Sequence, residues 1–281
     1  NMSEQCQNVE CGSQEKCQGC PSNAHDNLLK PTHKLNKIRN VIGVVSGKGG
    51  VGKSSVTSML AIAAKNKGLK VGILDADITG PSIPKAFGIT KQAYGTQEGI
   101  IPAKTKSGID VMSINLLLED PEQPVLWRGP ILGNMVTQFW TDVIWGELDY
   151  LFVDMPPGTG DVPLTVFQSL PLTGIVVVTA AQDLVSMIVG KAIHMANQMN
   201  IPIIGLIENM SYFICPNCNE KHYIFGKSHL EEVSQKYQVP ILSQMPLNSE
   251  IANLCDQGAI EQLKDNPLDE VIEHIIKNKA E

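Results

Sequence analysis

The chain has 281 residues, of which 22 are basic and 29 are acidic, and its formal net charge at pH 7 is −7. This acidic balance argues against general binding to nucleic acid or to a membrane surface, so neither is expected as a partner. No apolar run approaches the roughly 18 residues of a membrane-spanning helix, and the first residues lack the features of a signal peptide. Seven cysteines, an odd number, favour thiol or metal chemistry in a reducing cytoplasm over structural disulfides.

Residues 1–38 differ in composition from the rest and are predicted to form a cysteine-rich extension without a core of its own. The remaining residues, 39–281, are predicted to form the main domain. The extension has few large apolar residues but holds four of the seven cysteines. These thiols either complete a cluster or zinc site within one chain or ligate nothing. They are Cys6, Cys11, Cys17 and Cys20.

The first strand–loop–helix unit carries a phosphate-binding motif. Residues 41–45 form a short β-branched run that predicts a buried parallel strand, and residues 53–66 have helical composition. The loop between them fits G-x-x-x-x-G-K-[ST], in which glycines let backbone N–H groups surround phosphate oxygens. Lys53 is expected to reach the β- and γ-phosphates of ATP, and Ser54 is expected to hold Mg²⁺. The predicted nucleotide-binding residues here are Gly47, Lys48, Gly49, Gly50, Val51, Gly52, Lys53, Ser54 and Ser55.

Along the rest of the chain, strand-like apolar runs alternate with longer helical stretches. This alternation predicts an α/β fold with a mostly parallel sheet and helices on both faces. The predicted strands are 41–45, 71–75, 110–114, 150–154, 174–179, 203–208 and 240–245. The predicted helices are 53–66, 130–145, 161–169, 185–199, 229–237, 248–256 and 268–278. The stretch 80–108 is predicted to be a long surface loop beside the nucleotide site.

Carboxylates follow two of these strands. Ligand sites in open α/β sheets lie beyond the carboxyl ends of the strands, where Asp75, Asp77 and Asp154 fall. Each aspartate alone also fits an ordinary strand-end turn, but the phosphate loop favours a functional role. Asp154 has the Walker B position, which holds Mg²⁺ directly or through a water, and Asp75 is expected to assist it. Asp77 is the best candidate for orienting the attacking water, and Gly158 is predicted to sense the γ-phosphate.

A C-x-x-C pair, Cys215 and Cys218, follows a predicted strand. An iron–sulfur cluster or a structural zinc ion usually takes four ligands, and a two-fold dimer would bring two such pairs together. Three other interpretations remain open for this pair: a redox dithiol, a zinc knuckle completed by His222, or a surface turn with inert thiols. Cys255 lies on a predicted helix among apolar residues and is expected to be a small core residue.

Five motifs occur in the order of a known family. They are the Lys48-bearing loop, residues 74–77 with 80–82, residues 154–161, residues 208–211, and the Cys215-x-x-Cys218 pair. In this set and order the chain resembles the Mrp/ApbC family of P-loop ATPases, which act as iron–sulfur cluster carriers. The fold implied is the deviant Walker A (SIMIBI) type of P-loop NTPase. The resemblance covers roughly residues 38–275.

The resemblance also implies site residues and an assembly. It implies a homodimer in which Lys48 reaches across to the nucleotide of the other subunit and acts in catalysis with Asp77. It implies that Cys215 and Cys218 of both chains bridge a [4Fe-4S] cluster, and that Asn209 recognises the adenine base. The N-terminal cysteines resemble those of the eukaryotic cytosolic scaffold branch, although their spacing differs from its pattern.

The leading hypothesis is an ATP-binding, slowly hydrolysing carrier that passes its cluster to apo-proteins, with cluster-assembly factors as further partners. One alternative is a partitioning or septum-site ATPase, which needs a basic DNA-binding surface or a basic amphipathic membrane helix. Residues 268–277 are amphipathic but acidic in their first half, so they are expected to pack on the core. Another alternative is a zinc-stabilised interaction ATPase whose cysteines are purely structural.

Overall fold

The structure is a computed structural model that describes residues 28–77, 80, 82–118, 129–181 and 185–277. The four N-terminal cysteines lie outside the described residues, so a metal or cluster site at Cys6, Cys11, Cys17 and Cys20 stays a prediction. None of the helices in the described ranges is both long and apolar enough to span a bilayer.

The described residues form eleven strands and eight helices. The strands are β1 (Lys37–Ser46), β2 (Val71–Asp75), β3 (Tyr94–Gly95), β4 (Ile100–Ile101), β5 (Ala103–Lys104), β6 (Asp110–Met112), β7 (Glu147–Asp154), β8 (Gly174–Ala180), β9 (Ile203–Ile214), β10 (Lys221–His222) and β11 (Ile241–Pro246). The helices are α1 (Lys53–Asn66), α2 (Ile83–Ala86), α3 (Gly129–Thr141), α4 (Asp161–Ser169), α5 (Val185–Gln198), α6 (Leu230–Tyr237), α7 (Ser249–Asp256) and α8 (Asp269–Lys277).

The main sheet has the strand order β10-β9-β8-β1-β7-β2-β6-β5, and β11 pairs with β9 as well. The pairs at its centre are parallel, and only β5–β6 and β9–β10 are antiparallel. Every residue of β2 and β8 is buried. Because successive side chains of a strand point to opposite faces, the sheet is covered on both faces at these strands. The predicted α/β fold is confirmed.

The sheet brings the predicted carboxylates together. β1 lies between β7 and β8, and β2 lies on the other side of β7, so three parallel strands present their carboxyl ends at one edge. Asp75 at the end of β2 is paired in register with Asp154 at the end of β7. The loop after β1 therefore begins beside two carboxylates that are distant in sequence.

The predicted elements agree closely with the observed ones, and α1, β2 and α4 have the predicted bounds. The prediction of one long loop over 80–108 is wrong, because this stretch holds α2 and the β3–β4 hairpin as well as β5. Ile83 and Phe87 are fully buried and fix α2 against the core. β9 continues six residues beyond its predicted end at residue 208, because its second half pairs with β10 and β11.

The residues just before β1 are attached to the domain. The indole Nε1 of Trp140 donates to the carbonyl of Lys30 at 2.8 Å, and the Lys30 N–H donates to the carbonyl of Ser169 at 2.9 Å. The side-chain amide of Asn36 donates to the carbonyl of Val143 at 2.9 Å. β1 itself starts at Lys37, two residues before the predicted domain boundary at residue 39.

Candidate nucleotide site and cysteine pair

The loop between β1 and α1 has a backbone that requires glycine. Gly52 has φ +79° and ends the loop, and its carbonyl accepts the N–H of Val56 in the first turn of α1. A Cβ added at Gly52 would lie 2.2 Å from Nδ2 of Asn209. Any other residue at this position would therefore clash with Asn209 and would also strain the backbone, because of the positive φ.

A cavity of about 340 Å³ opens over this loop. Its lining contains most of the predicted loop residues, namely Lys48, Gly49, Gly50, Gly52, Lys53, Ser54 and Ser55, together with Asp77. Val51 is buried beneath the loop instead. Lys48 is exposed at the loop, and its carbonyl accepts the hydroxyl of Ser46 at 3.0 Å. α1 begins at Lys53 within this lining, and the backbone N–H groups at a helix N-terminus favour an anion such as phosphate.

Lys53 is buried among carboxylates. Its Nζ lies 2.7 Å from Oδ1 of Asp154 and 3.5 Å from Oδ2 of Asp77. Burial alone lowers the pKa of Lys53, but the charges of Asp154 and Asp77 outweigh burial and raise the pKa above its ordinary value. Lys53 therefore stays charged, with its ammonium group directed at the carboxyl ends of the strands.

Asp154 is fully buried and is held by two hydroxyls as well as by Lys53. Ser54 Oγ donates to its Oδ2 at 2.6 Å, and Thr57 Oγ1 donates to its Oδ1 at 2.9 Å. Thr57 was not among the residues predicted from the sequence. Its position four residues after Lys53, on the same side of α1, is the signal that could have identified it.

Asp75 is also fully buried, behind Asp154. The hydroxyl of Ser113, a residue that sequence analysis missed, donates to Asp75 Oδ2 at 3.1 Å, and the N–H of Asp77 donates to Oδ1 at 3.2 Å. Burial, and secondly the charge of Asp154, raise the pKa of Asp75 well above its usual range. Asp75 thus tends to hold a proton in the folded chain.

The donor set of this site fits a magnesium ion. Three carboxyl groups surround one ammonium group, and the hydroxyl of Ser54 lies against Asp154 at the base of the cavity. Oxygen donors of this kind are the ligands that Mg²⁺ takes together with phosphate oxygens. Ser54 and Asp154 could hold such an ion, and that role stays a prediction.

The loop after β7 packs against β1. The N–H of Gly158 donates to the carbonyl of Ser46 at 2.8 Å, and Gly158 has φ +89°, a conformation that favours glycine. Gly158 thereby lies beside the start of the phosphate loop, where a Cβ added to it would be 4.0 Å from the carbonyl of Gly47.

Asn209 lies on β9 and contacts the phosphate loop from the opposite side. Its Nδ2 donates to the carbonyl of Val51 at 3.0 Å, and its Oδ1 accepts the N–H of Met210 at 3.0 Å. Met210 has φ +55°, a value that non-glycine residues adopt uncommonly. The role of Asn209 in adenine recognition stays a prediction.

The cysteine pair lies in the turn between β9 and β10. The N–H of Cys215 donates to the carbonyl of Glu220 at 3.0 Å, and the N–H of Asn219 donates to the carbonyl of Cys215 at 2.9 Å. Hydrogen bonds from the backbone N–H groups of Asn217 and Cys218 lower the pKa of the Cys215 thiol. The turn therefore favours a thiolate at Cys215.

Exposed apolar side chains lie close to the pair along the chain. Four residues of this hairpin region are between 41% and 58% exposed: Ile214, Tyr223, Ile224 and Phe225. On the same strand, the buried carboxylate of Glu208 accepts hydrogen bonds from Ser211, Ser228 and Gln244. This role of Glu208, which ties the second half of β9 to its neighbours, was not predicted from the sequence.

Two smaller expectations concern the last part of the chain. Cys255 packs against the core but is only half-buried, and burial raises the pKa of its thiol. Its Sγ lies 3.9 Å from Oγ of Ser55. In α8, Val271, Ile272 and Ile275 are buried, which confirms the predicted packing of this helix on the core.

A central parallel sheet, a glycine loop entering α1 and a buried lysine between strand-end carboxylates define a P-loop NTPase. Within that class, the chain belongs to the ParA family described as NUBPL iron-transfer P-loop NTPase, whose family model matches residues 37–280. The family resemblance predicted from the sequence motifs is confirmed.

Individual relatives agree with this assignment. The iron-sulfur cluster carrier protein of Clostridium perfringens is 44% identical over 267 residues, which cover 92% of this chain and 93% of that protein. The nucleotide-binding protein of Archaeoglobus fulgidus, solved in complex with ADP and with cobalt, is 44% identical with a TM-score of 0.74, covering 82% of this chain and 90% of that chain.

A more distant structure shares the fold alone. The septum site-determining protein MinD of Pyrococcus horikoshii, complexed with Mg-ADP, has a TM-score of 0.59 but only 18% identity, covering 86% of this chain and 98% of that chain. This likeness gives the septum-site alternative no support beyond the fold.

Proposed function

We propose that this chain binds and slowly hydrolyses ATP, and carries a [4Fe-4S] cluster that it passes to apo-proteins. The observation that carries the proposal is the course of β9, which contacts the phosphate loop at Asn209 and reaches the cysteine pair six residues later. The names of the curated relatives and the ADP bound by the Archaeoglobus fulgidus protein support the same proposal.

The nucleotide part of the proposal assigns roles around the cavity. Lys53 contacts the β- and γ-phosphates, and the N–H groups of the loop surround their oxygens. Ser54 and Asp154 hold Mg²⁺, which supplies positive charge to the phosphates when bound. Asp77, at the rim of the cavity, orients the attacking water. Gly158, whose N–H is held by Ser46, places its loop beside the γ-phosphate.

The cluster part of the proposal needs a second copy of the chain. The cysteine pair supplies two thiolates, whereas a [4Fe-4S] cluster takes four. A two-fold homodimer brings two pairs to one axis, and the exposed apolar side chains beside the turn are suited to an interface there. Lys48, exposed at the cavity, reaches the nucleotide of the other subunit in this arrangement.

β9 offers a direct mechanical route between the two sites. A ligand that moves the carbonyl of Val51 also changes the hydrogen bond that this carbonyl accepts from Asn209. Because a strand rises about 3.3 Å per residue, the cysteine turn lies about 20 Å from Asn209. ATP binding or hydrolysis thereby alters the spacing of the two cysteine pairs and the hold on the cluster.

Anaerobic reconstitution with iron and sulfide tests the proposal. A chain that carries Cys6→Ser, Cys11→Ser, Cys17→Ser and Cys20→Ser should still gain brown absorbance and transfer its cluster to an apo-ferredoxin, whereas adding Cys215→Ala/Cys218→Ala to it should abolish both. Cys255→Ala is the matched control and should behave as wild type, because Cys255 lies on α7, away from the turn. Unchanged cluster content in the double variant would refute the assignment of the cluster to this turn.

Metal analysis of anaerobically purified protein separates the proposal from a zinc-stabilised interaction ATPase. Iron and sulfide in equal amounts support the carrier, whereas protein that contains zinc and takes up no iron and sulfide on anaerobic reconstitution supports the alternative. A reducing, cytoplasmic setting is part of the proposal, because seven cysteines, an odd number, favour thiol or metal chemistry over structural disulfides.

A further inference from the structure

The turn that carries the cysteine pair also brings a histidine to it. In one chain, the sulfur atoms of Cys215 and Cys218 and a ring nitrogen of His222 all lie within 4.8 Å of one another. With Zn–S near 2.3 Å and Zn–N near 2.0 Å, the ligand atoms of a tetrahedral zinc site are about 3.5 to 3.8 Å apart. Side-chain rotations that bring these donor atoms closer together by on the order of 1 Å would therefore give them the spacing of a zinc site.

The backbone fixes this arrangement. His222 is paired with Phe213 across β9 and β10, and the next pair joins Lys221 to Ile214. The Cys215 N–H to Glu220 carbonyl hydrogen bond then closes the turn at its base. The positions of all three candidate ligands thus follow from strand register, and their side chains stay exposed or half-exposed and able to rotate.

The chemistry of the donors selects the class of ion. Two thiolates and one imidazole suit zinc and similar divalent transition metals, whereas Mg²⁺ takes oxygen ligands. Two cysteines and one histidine are also a donor set of zinc sites that leave the fourth position open. Glu220 Oε2 lies 3.9 Å from the Cys218 sulfur but does not belong to the group of atoms that lie close together.

We propose that Cys215, Cys218 and His222 of a single chain hold one divalent ion of the zinc class, with a fourth coordination position open. The site needs no second chain, and so goes beyond the cluster shared by two copies. Because the ion and the cluster use the same two thiolates, a chain that holds the ion cannot hold its half of the cluster.

Titration with Co²⁺ under anaerobic, reducing conditions tests this site, because Co²⁺ accepts the ligands of zinc and reports thiolate and imidazole ligation by its absorbance and by paramagnetically shifted proton signals. The full-length chain is used, with the thiols outside the described residues removed so that they do not bind the probe. Those substitutions are Cys6→Ser, Cys11→Ser, Cys17→Ser and Cys20→Ser.

One Co²⁺ should bind per chain, with a thiolate-to-cobalt band and a shifted imidazole N–H signal, while sedimentation shows a monomer. Removing a residue that only hydrogen-bonds to a metal ligand weakens metal binding about 10- to 100-fold. His222→Ala removes a ligand itself, so it should weaken Co²⁺ binding at least about tenfold and remove the imidazole signal. His222→Gln serves as a second variant, and circular dichroism reports whether each variant is folded. His229→Ala, at another exposed histidine, is the matched control and should leave the Co²⁺ affinity and the imidazole signal unchanged.

Several results would overturn the inference. They are no Co²⁺ binding by the chain, one ion per two chains in a dimer, or His222 variants with wild-type affinity and an unchanged imidazole signal. Iron and sulfide reconstitution separates this inference from the cluster carrier proposal. His222→Ala should still form the cluster, which relies on four cysteines, whereas Cys215→Ala/Cys218→Ala should lose the cluster and the Co²⁺ site together.

Discussion

The side-chain amide of Asn209 donates a hydrogen bond to the carbonyl of Val51 at 3.0 Å, joining residues 158 positions apart in sequence. The same amide lies where a side chain at Gly52 would have to go. Asn209 therefore closes the phosphate loop from the side of β9, and glycine at position 52 is required both by its φ and by this neighbour.

The first prediction is that the cost of Gly52→Ala depends on Asn209. In the wild type the new methyl group meets the Asn209 amide and also strains a backbone with positive φ, whereas in Asn209→Ala only the strain remains. A double-mutant cycle in urea should therefore give an interaction free energy of about 0.5 to 3 kcal/mol.

Gly50→Ala provides the control for this cycle. Gly50 has φ +82°, but a Cβ there meets nothing within 4 Å, so its substitution should cost the same free energy with and without Asn209. Equal costs for Gly52→Ala in the two backgrounds would mean that the Asn209 amide moves away freely.

The second prediction concerns pH. Because burial raises the folded-state pKa of Asp75, the folded chain keeps a proton that the unfolded chain loses above about pH 4. The contribution of Asp75 to the free energy of unfolding is therefore fully present below about pH 4 and is lost as the pH rises through the folded-state pKa of Asp75. Asp75→Asn removes this titration, so its free energy of unfolding relative to wild type should rise over the same window, measured by urea denaturation at a series of pH values.

Asp265→Asn is a suitable control for the pH series, because Asp265 is exposed. Its difference from wild type should not follow the trend of Asp75→Asn. A wild-type chain and an Asp75→Asn chain with parallel pH profiles would contradict the prediction.

The third prediction is that Glu208→Gln destabilises the chain by about 1 to 3 kcal/mol, since an amide cannot accept the hydrogen bonds that both carboxylate oxygens receive. One donor among Ser211, Ser228 and Gln244 would then face an NH₂ group. Glu231→Gln, at an exposed position of α6, should change the free energy of unfolding by no more than about 0.5 kcal/mol. Equal urea midpoints for the two variants would show that the buried carboxylate is not required.

The fourth prediction concerns the segment before β1. Trp140→Phe removes the indole donor to the Lys30 carbonyl and should cost about 1 kcal/mol. The Lys30 amide, which is bonded to Ser169, should then exchange its hydrogen faster. Trp145→Phe is the control, because its indole donates to the nearby carbonyl of Phe139 and not to the Lys30 carbonyl. Similar exchange rates at Lys30 in both variants would argue against the tethering role of Trp140.

Much of this architecture could be predicted from the sequence because it depends on local pattern. Buried parallel strands are continuous apolar runs, so β2 and the end of β7 are visible, and the carboxyl-end rule then places Asp75 and Asp154 beside the phosphate loop. The glycines of the loop have a fixed spacing, and α1 begins directly after them with the predicted bounds.

The parts that were missed depend on contacts distant in sequence. Ser113 reaches Asp75 only because β6 pairs with β2, and a lone serine carries no pattern of its own. The second half of β9 contains polar and aromatic residues, and it is a strand because two partners pair with it. His222, by contrast, was named from the sequence as the residue that would complete a zinc knuckle, and the register of that hairpin is what brings its ring close to the two sulfur atoms.

The long sequence separations around the phosphate loop have a consequence for synthesis on the ribosome. The loop emerges early, but the Lys53–Asp154 ion pair joins residues 101 positions apart, and Asn209 emerges later still. Contacts of such range form slowly, after the intervening chain is available. A nascent or prematurely terminated chain that stops before β7 would thus carry Lys53 without the carboxylate of Asp154, and its phosphate loop would lack the contacts that hold it in the complete protein.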